Sequence, residues 1–212
     1  MSQYLTSSSS KRQQLRQSYS HIVEVNVVGL DDDIKKLVSV LVDEERHFRV
    51  ASICGMGGLG KTTLAKKVYH HGQVRNHFKY FAWAYISQQC QRETVWEGIF
   101  SSFGLNGGKG GILNVKDQEL AGKLYKFLKE NKCLVVLDDI WSTQDWDMIK
   151  DAFPMEGTGS KILLTSRIKD LALYADSRGC LHELQCLTDE DGWKLFQHIT
   201  FPRSDSAGNI NL

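Results

Sequence analysis

The sequence predicts an α/β fold, a five-stranded parallel sheet with helices on both faces, and three observations carry that prediction. Apolar strand-like runs alternate with segments of helical spacing from Arg49 to Phe201, the pattern of a parallel sheet wound with helices. The central run Cys133-Leu134-Val135-Val136-Leu137 is apolar throughout, as a strand covered on both faces is. Between the first run and the first helix of the alternation stands Gly55-Met56-Gly57-Gly58-Leu59-Gly60-Lys61-Thr62. This reads G-x-x-x-x-G-K-T in the strand–loop–helix context that a phosphate-binding loop needs.

The elements follow in order. Asp31 to Asp33 open a helix whose apolar face is Ile34, Leu37, Val38, Leu41 and Val42; acidic side chains suit a helix N-terminus. Val50 to Cys54 is the first strand, and a helix starting at Lys61 carries Leu64, Ala65, Val68 and Tyr69. Phe81 to Ile86 is the second strand, followed by a helix with Val95, Ile99, Phe100 and Phe103. Gly104 to Gly111 is glycine-rich and predicts a loop. Leu120, Leu124, Phe127 and Leu128 share a helix face. Cys133 to Leu137 is the third strand, with a short helix around Trp146 and Ile149. Lys161 to Thr165 is the fourth, with a helix from Ile168, and the fifth lies near Leu181 to Leu184. Thr188-x-x-Asp191 reads as a capping box for a last helix that buries Trp193, Leu195 and Phe196. Trp96, Trp146 and Phe153 read as core from their apolar spacing.

Bulk properties narrow the class. With 212 residues, 42% hydrophobic and 24% charged, the chain is an ordinary globular protein. A formal net charge of +1 gives no bulk attraction to nucleic acid or to membranes. No run approaches the roughly 20 apolar residues of a membrane helix, and Met1 to Ser20 lacks a hydrophobic signal core. The five cysteines include no C-x-x-C pair, which favours reduced, buried thiols in the cytoplasm. Residues 1–20, with Ser7 to Ser10 in a row, read as a disordered linker; three basic residues, Lys11, Arg12 and Arg16, are few for a nucleic-acid arm. His70, His71 and His77 have no cysteine at ligand spacing and read as solvated rather than zinc-binding.

The candidate site is assembled from three segments. In the glycine-rich loop, Gly55, Gly57, Gly58, Leu59, Gly60, Lys61, Thr62 and Thr63 would surround phosphates with backbone N–H groups and a helix N-terminus. Lys61 supplies a point charge to the outer phosphates, and the Thr62 hydroxyl is a ligand for Mg²⁺. Asp138 and Asp139 close the third strand, where ligands bind in parallel sheets. Asp138 would hold the Mg²⁺, and Asp139 would orient or partly deprotonate an attacking water. At the end of the fourth strand, Arg167 in Thr165-Ser166-Arg167 would sense the terminal phosphate; an arginine in such a place is also often simply solvated.

These residues carry a family resemblance. Gly55 to Ala65 resembles the phosphate loop of NB-ARC domains, the nucleotide-binding switches of plant disease-resistance proteins and animal apoptosome factors. Phe81 to Gln88 resembles the following segment in the plant branch without a Toll-like domain. Cys133 to Trp141 resembles the second kinase motif, with Trp141 typical of the coiled-coil class. Gly159 to Arg167 resembles the sensor motif, and Leu184 to Phe201 the motif after it. The resemblance runs from about Val27 to Phe201 and implies a P-loop NTPase core that binds ADP or ATP with Mg²⁺. It also implies that Val27 and Val28 face the base, although Leu30 stands where the family often has an arginine or aromatic residue. No G-L-P-L or M-H-D motif occurs before Leu212. The resemblance therefore implies a fragment: a linker at 1–20, a nucleotide-binding subdomain at 21–201 and a tail at 202–212, without the coiled coil, helical and winged-helix subdomains and leucine-rich repeats.

Three functions stay open at this point. The resemblance implies a cytoplasmic ADP/ATP switch in plant defence that hydrolyses slowly and oligomerises when active. A small-molecule kinase or other phosphotransferase on the same core would need an acceptor pocket and an arginine-bearing lid, and Gly104 to Lys109 has no arginine. A degenerate fragment would bind nucleotide weakly without turnover.

Overall fold

The structure, a computed structural model, describes residues 27–45, 49–105, 117–154 and 158–201. The predicted linker at 1–20, most of the loop predicted from Gly104 to Gly111 and the tail at 202–212 lie outside the described residues. Five strands form one parallel sheet: β1 (Val50–Cys54), β2 (Tyr80–Tyr85), β3 (Cys133–Ile140), β4 (Lys161–Ser166) and β5 (Cys180–Glu183). Their order in space is β2-β3-β4-β1-β5. The helices are α1 (Asp31–Val42), α2 (Lys61–Tyr69), α3 (Gly72–His77), α4 (Arg92–Ser102), α5 (Asp117–Glu130), α6 (Thr143–Ile149), α7 (Lys169–Ala175) and α8 (Asp189–Thr200).

Strand alternation divides the core in two. Ala51, Ile53, Leu134, Val136 and Leu163 point to one face and pack with Leu37, Leu41, Leu64, Val68 and Val74 of α1 to α3. Their sequence neighbours Cys133, Val135, Leu137, Ile162 and Leu164 point to the other face, against Ile99, Leu124, Trp146 and Leu171 of α4 to α7. Period-two alternation of uniformly apolar strands thus fills both layers. Trp96, Trp146 and Phe153 are buried as expected, with the Trp96 indole donating to the carbonyl of Ile149 at 3.0 Å. Among the described residues no helix is long and apolar enough to cross a membrane.

Three features depart from the sequence reading. Helix α3 has only Val74 buried, so no apolar period announces it; His71, expected to be merely solvated, caps it by accepting from the Gln73 amide. Strand β3 runs on through both aspartates to Ile140, because parallel pairing with β4 resumes after an irregularity between Leu137 and Ile140. Helix α8 begins where predicted, capped by Thr188, whose hydroxyl accepts from the Asp191 amide at 3.1 Å. It does not bury Trp193 and Phe196: these stack on one another in solvent at 60% and 51% exposure, because no described element covers that face. Leu195 alone of the three is half-buried.

The exposed setting of α8 yields an expectation. A Cβ at Gly192 meets nothing within 4 Å. Gly192→Ala is therefore expected to stabilise the fold by about 0.5–1 kcal/mol through helix propensity, read as a higher midpoint in urea unfolding.

Candidate functional site

The site forms at the C-terminal ends of β1, β3 and β4, which strand order makes adjacent. After β1 the chain turns through the glycine-rich loop into α2. Gly60, which precedes the first helical residue, has φ +96°, a conformation that side chains with a Cβ rarely adopt. That turn aims the start of α2 at the loop, so backbone N–H groups and the helix N-terminus converge there. Lys61 reaches back across the loop, and its Nζ donates to the carbonyls of Gly55 at 2.8 Å and Met56 at 2.7 Å. Burial, with the Arg167 guanidinium nearby, pulls the Lys61 ammonium below the usual lysine range.

The structure brings Thr62 and Asp138 into contact. The Thr62 hydroxyl donates to Asp138 Oδ1 at 2.9 Å. Thr165 of β4 donates to the same oxygen at 2.6 Å, and Asp138 is 1% exposed. A hydroxyl and a carboxylate side by side form the hard oxygen donor set that suits Mg²⁺.

Asp139 points elsewhere because its backbone does. It has φ +64°, alone among the non-glycine residues described, and it sits in the irregularity of β3. Its amide donates to Thr165 Oγ1 at 2.8 Å, so Thr165 links the two aspartates. The residue sits in the left-handed region that aspartate and asparagine tolerate best. Arg167 Nε lies 3.8 Å from Asp139 Oδ1, and its guanidinium stacks over the Trp141 ring at 4.8 Å. A Cβ at Gly57 would stand 3.3 Å from Arg167 Nη1, so the arginine rests against the loop itself. The structure thus brings Lys61, Thr62, Asp138, Asp139 and Arg167 around one loop.

Beside the loop opens a cavity of about 380 Å³. Val27 and Val28 line it, with Gly58, Leu59, Gly60 and Thr63 from the loop and α2. Leu30, Cys186, Leu187 and Leu195 complete it. Sequence reasoning did not assign these four to the site, and it gave Thr165 no role. Thr165 was legible in principle, since strand ends that neighbour a phosphate loop face the same crevice. The cysteines divide by place: burial pushes the thiols of Cys54 and Cys133 up to about 11, whereas Cys186 is exposed.

Comparison with known proteins places the chain in a family. The family model described as NB-ARC domain matches residues 30–206. A putative disease resistance protein of Arabidopsis thaliana is 53% identical over 196 residues, covering 92% of this chain and 23% of the relative. The disease resistance protein RPP8 of the same plant is 42% identical over 196 residues, 92% of this chain and 21% of the relative. The chain thus spans under a quarter of the length of these relatives. Among solved structures, the ORC2 protein of Aeropyrum pernix aligns with a TM-score of 0.61 at 14% identity, covering 84% of this chain and 53% of that one. A signal transduction ATPase with numerous domains and a tetratricopeptide repeat sensor, from Pyrococcus horikoshii, aligns at 0.52 and 17%, covering 87% and 27%. At such identities these two likenesses speak to the fold.

Proposed function

The chain belongs to the NB-ARC family, and from that membership we propose that it is the ADP/ATP-binding switch module of a cytoplasmic plant immune receptor. The observation that supports this reading best is the convergence of Lys61, Thr62, Asp138, Asp139 and Arg167 on one glycine-rich loop beside a cavity of about 380 Å³. The loop amides and Lys61 would hold the phosphates. Val27, Val28, Leu187 and Leu195 would cover the base and ribose. Thr62 and Asp138 would hold a Mg²⁺ ion, which supplies charge neutralisation on the phosphates when bound.

In this reading Asp139 orients the attacking water in slow hydrolysis, and its left-handed backbone turns its carboxylate away from Asp138. Arg167 would report the terminal phosphate, held ready by Trp141 and Asp139. Residues 21–201 would form the nucleotide-binding body. Residues 1–20 would link it to a coiled coil, and 202–212 would lead toward helical, winged-helix and repeat modules. Exchange of ADP for ATP would shift such a receptor toward an oligomerising state, through the difference in nucleotide affinity between two conformations.

Cys186 gives a direct test, because it is exposed and lines the cavity. Iodoacetamide is expected to modify Cys186 well before Cys54 and Cys133, and saturating ADP is expected to slow that modification several-fold. Mass spectrometry of timed samples checks both; modification of Cys186 at the same rate with and without ADP counts against a nucleotide in this cavity.

A further inference from the structure

Asp33 and His182 join two stretches of chain that are 149 residues apart in sequence. Asp33 lies in the first turn of α1, directly after Val27, Val28 and Leu30, which line one side of the cavity. His182 lies in β5, and the chain beyond it supplies Cys186, Leu187 and Leu195 on the facing side. The His182 ring is 4% exposed, and its Nε2 stands 2.9 Å from Asp33 Oδ1. A carboxylate can only accept, so Nε2 carries the proton. The other nitrogen, Nδ1, is buried with no partner among the described residues, so Asp33 is the ring's single polar anchor there.

Two further facts give that anchor a task. β5 is a four-residue edge strand, held by the sheet on the β1 side only. The two cavity walls also meet at Gly29, which has φ +74° and where a Cβ would stand 2.6 Å from Leu187 Cδ2. The walls therefore touch at Gly29 and Leu187 and are pinned below that contact by Asp33 and His182. Spreading them would change the width of the cavity, while β1, which carries the phosphate loop, stays paired with β4 on its other side.

We propose that Asp33 and His182 are positioning residues whose hydrogen bond sets the width of the nucleoside side of the pocket. The bond thereby governs affinity for the base and ribose of an adenine nucleotide and not for its phosphates. This inference rests on the nucleotide reading above.

The test compares two ligands on the 212-residue chain: labelled ADP, and inorganic tripolyphosphate competing against it. In His182→Ala and Asp33→Ala the dissociation constant for ADP is expected to rise about tenfold, the scale of one lost hydrogen bond. The inhibition constant of tripolyphosphate is expected to stay unchanged. Asp33→Asn keeps an oxygen that accepts from Nε2 and is expected to bind ADP like the wild type. Asp31→Ala, which removes a charge from the same helical turn without touching His182, is also expected to bind normally. Asp33 is 30% exposed, so its variants remain informative if His182→Ala does not fold. Equal losses for both ligands, or an undiminished ADP affinity in Asp33→Ala, overturn the proposal. A wild-type chain that takes up neither ligand overturns the nucleotide reading, and this inference with it.

Discussion

Lys61→Arg is expected to weaken ADP binding about thirtyfold or more while the domain stays folded. The lysine Nζ occupies a narrow place, 2.8 Å and 2.7 Å from two carbonyls of the loop that it must serve. It is only 7% exposed. A guanidinium is a planar fork of five donors and cannot take a point-charge position between carbonyls and phosphates. The charge near the site is preserved, so the variant isolates geometry from net electrostatics. Loss of one charge-assisted hydrogen bond is worth about 2 kcal/mol, which sets the thirtyfold scale. Calorimetric titration with ADP and a urea unfolding curve for each protein check the two halves of the expectation.

The second large effect separates the neighbouring aspartates. Asp138→Asn keeps the oxygen that receives the Thr62 and Thr165 hydroxyls, so the fold is expected to survive. Its lost charge is expected to lower Mg²⁺ affinity about 10–100-fold, the scale for altering a metal site's supporting ligands. The signature is ADP binding that no longer strengthens when Mg²⁺ is added. Asp139→Asn is expected to do the opposite: nucleotide and Mg²⁺ binding near wild type, with turnover down at least about a hundredfold in a protein that hydrolyses ATP. Asparagine is the right substitute there because φ is +64° and asparagine tolerates that region. Single-turnover hydrolysis, measured beside Mg²⁺-dependent binding, reads the split. Parallel loss of binding in both variants would show that the two carboxylates share one role.

The parts of the site that lie close together in sequence were legible, and the parts assembled by the fold were not. The loop from Gly55 to Thr63 declares itself through glycine spacing and a following lysine, because its chemistry is local. Asp138 and Asp139 are candidates from sequence alone because strand ends in parallel sheets face ligand crevices. Nothing local marks the left-handed turn at Asp139 or the bond from Thr165 to Asp138, since both depend on how β3 pairs with β4. Cys186 and Leu195 reach the cavity only because the chain beyond β5 returns beside the segment before α1. The same limit explains α8. The spacing of Trp193 and Phe196 shows that they share a helix face, but spacing carries no information on whether another element covers that face. Helix α3 was missed for a different reason: one buried residue, Val74, makes no period.

The central claim is that this loop and cavity hold an adenine nucleotide, and equilibrium dialysis with labelled ADP and Mg²⁺ tests it most directly. Wild-type chain and Lys61→Arg are dialysed side by side at one salt concentration. The account predicts saturable binding of one ADP per wild-type chain and a large loss in the variant. No saturable uptake by the wild type, or uptake that the variant shares undiminished, would contradict it.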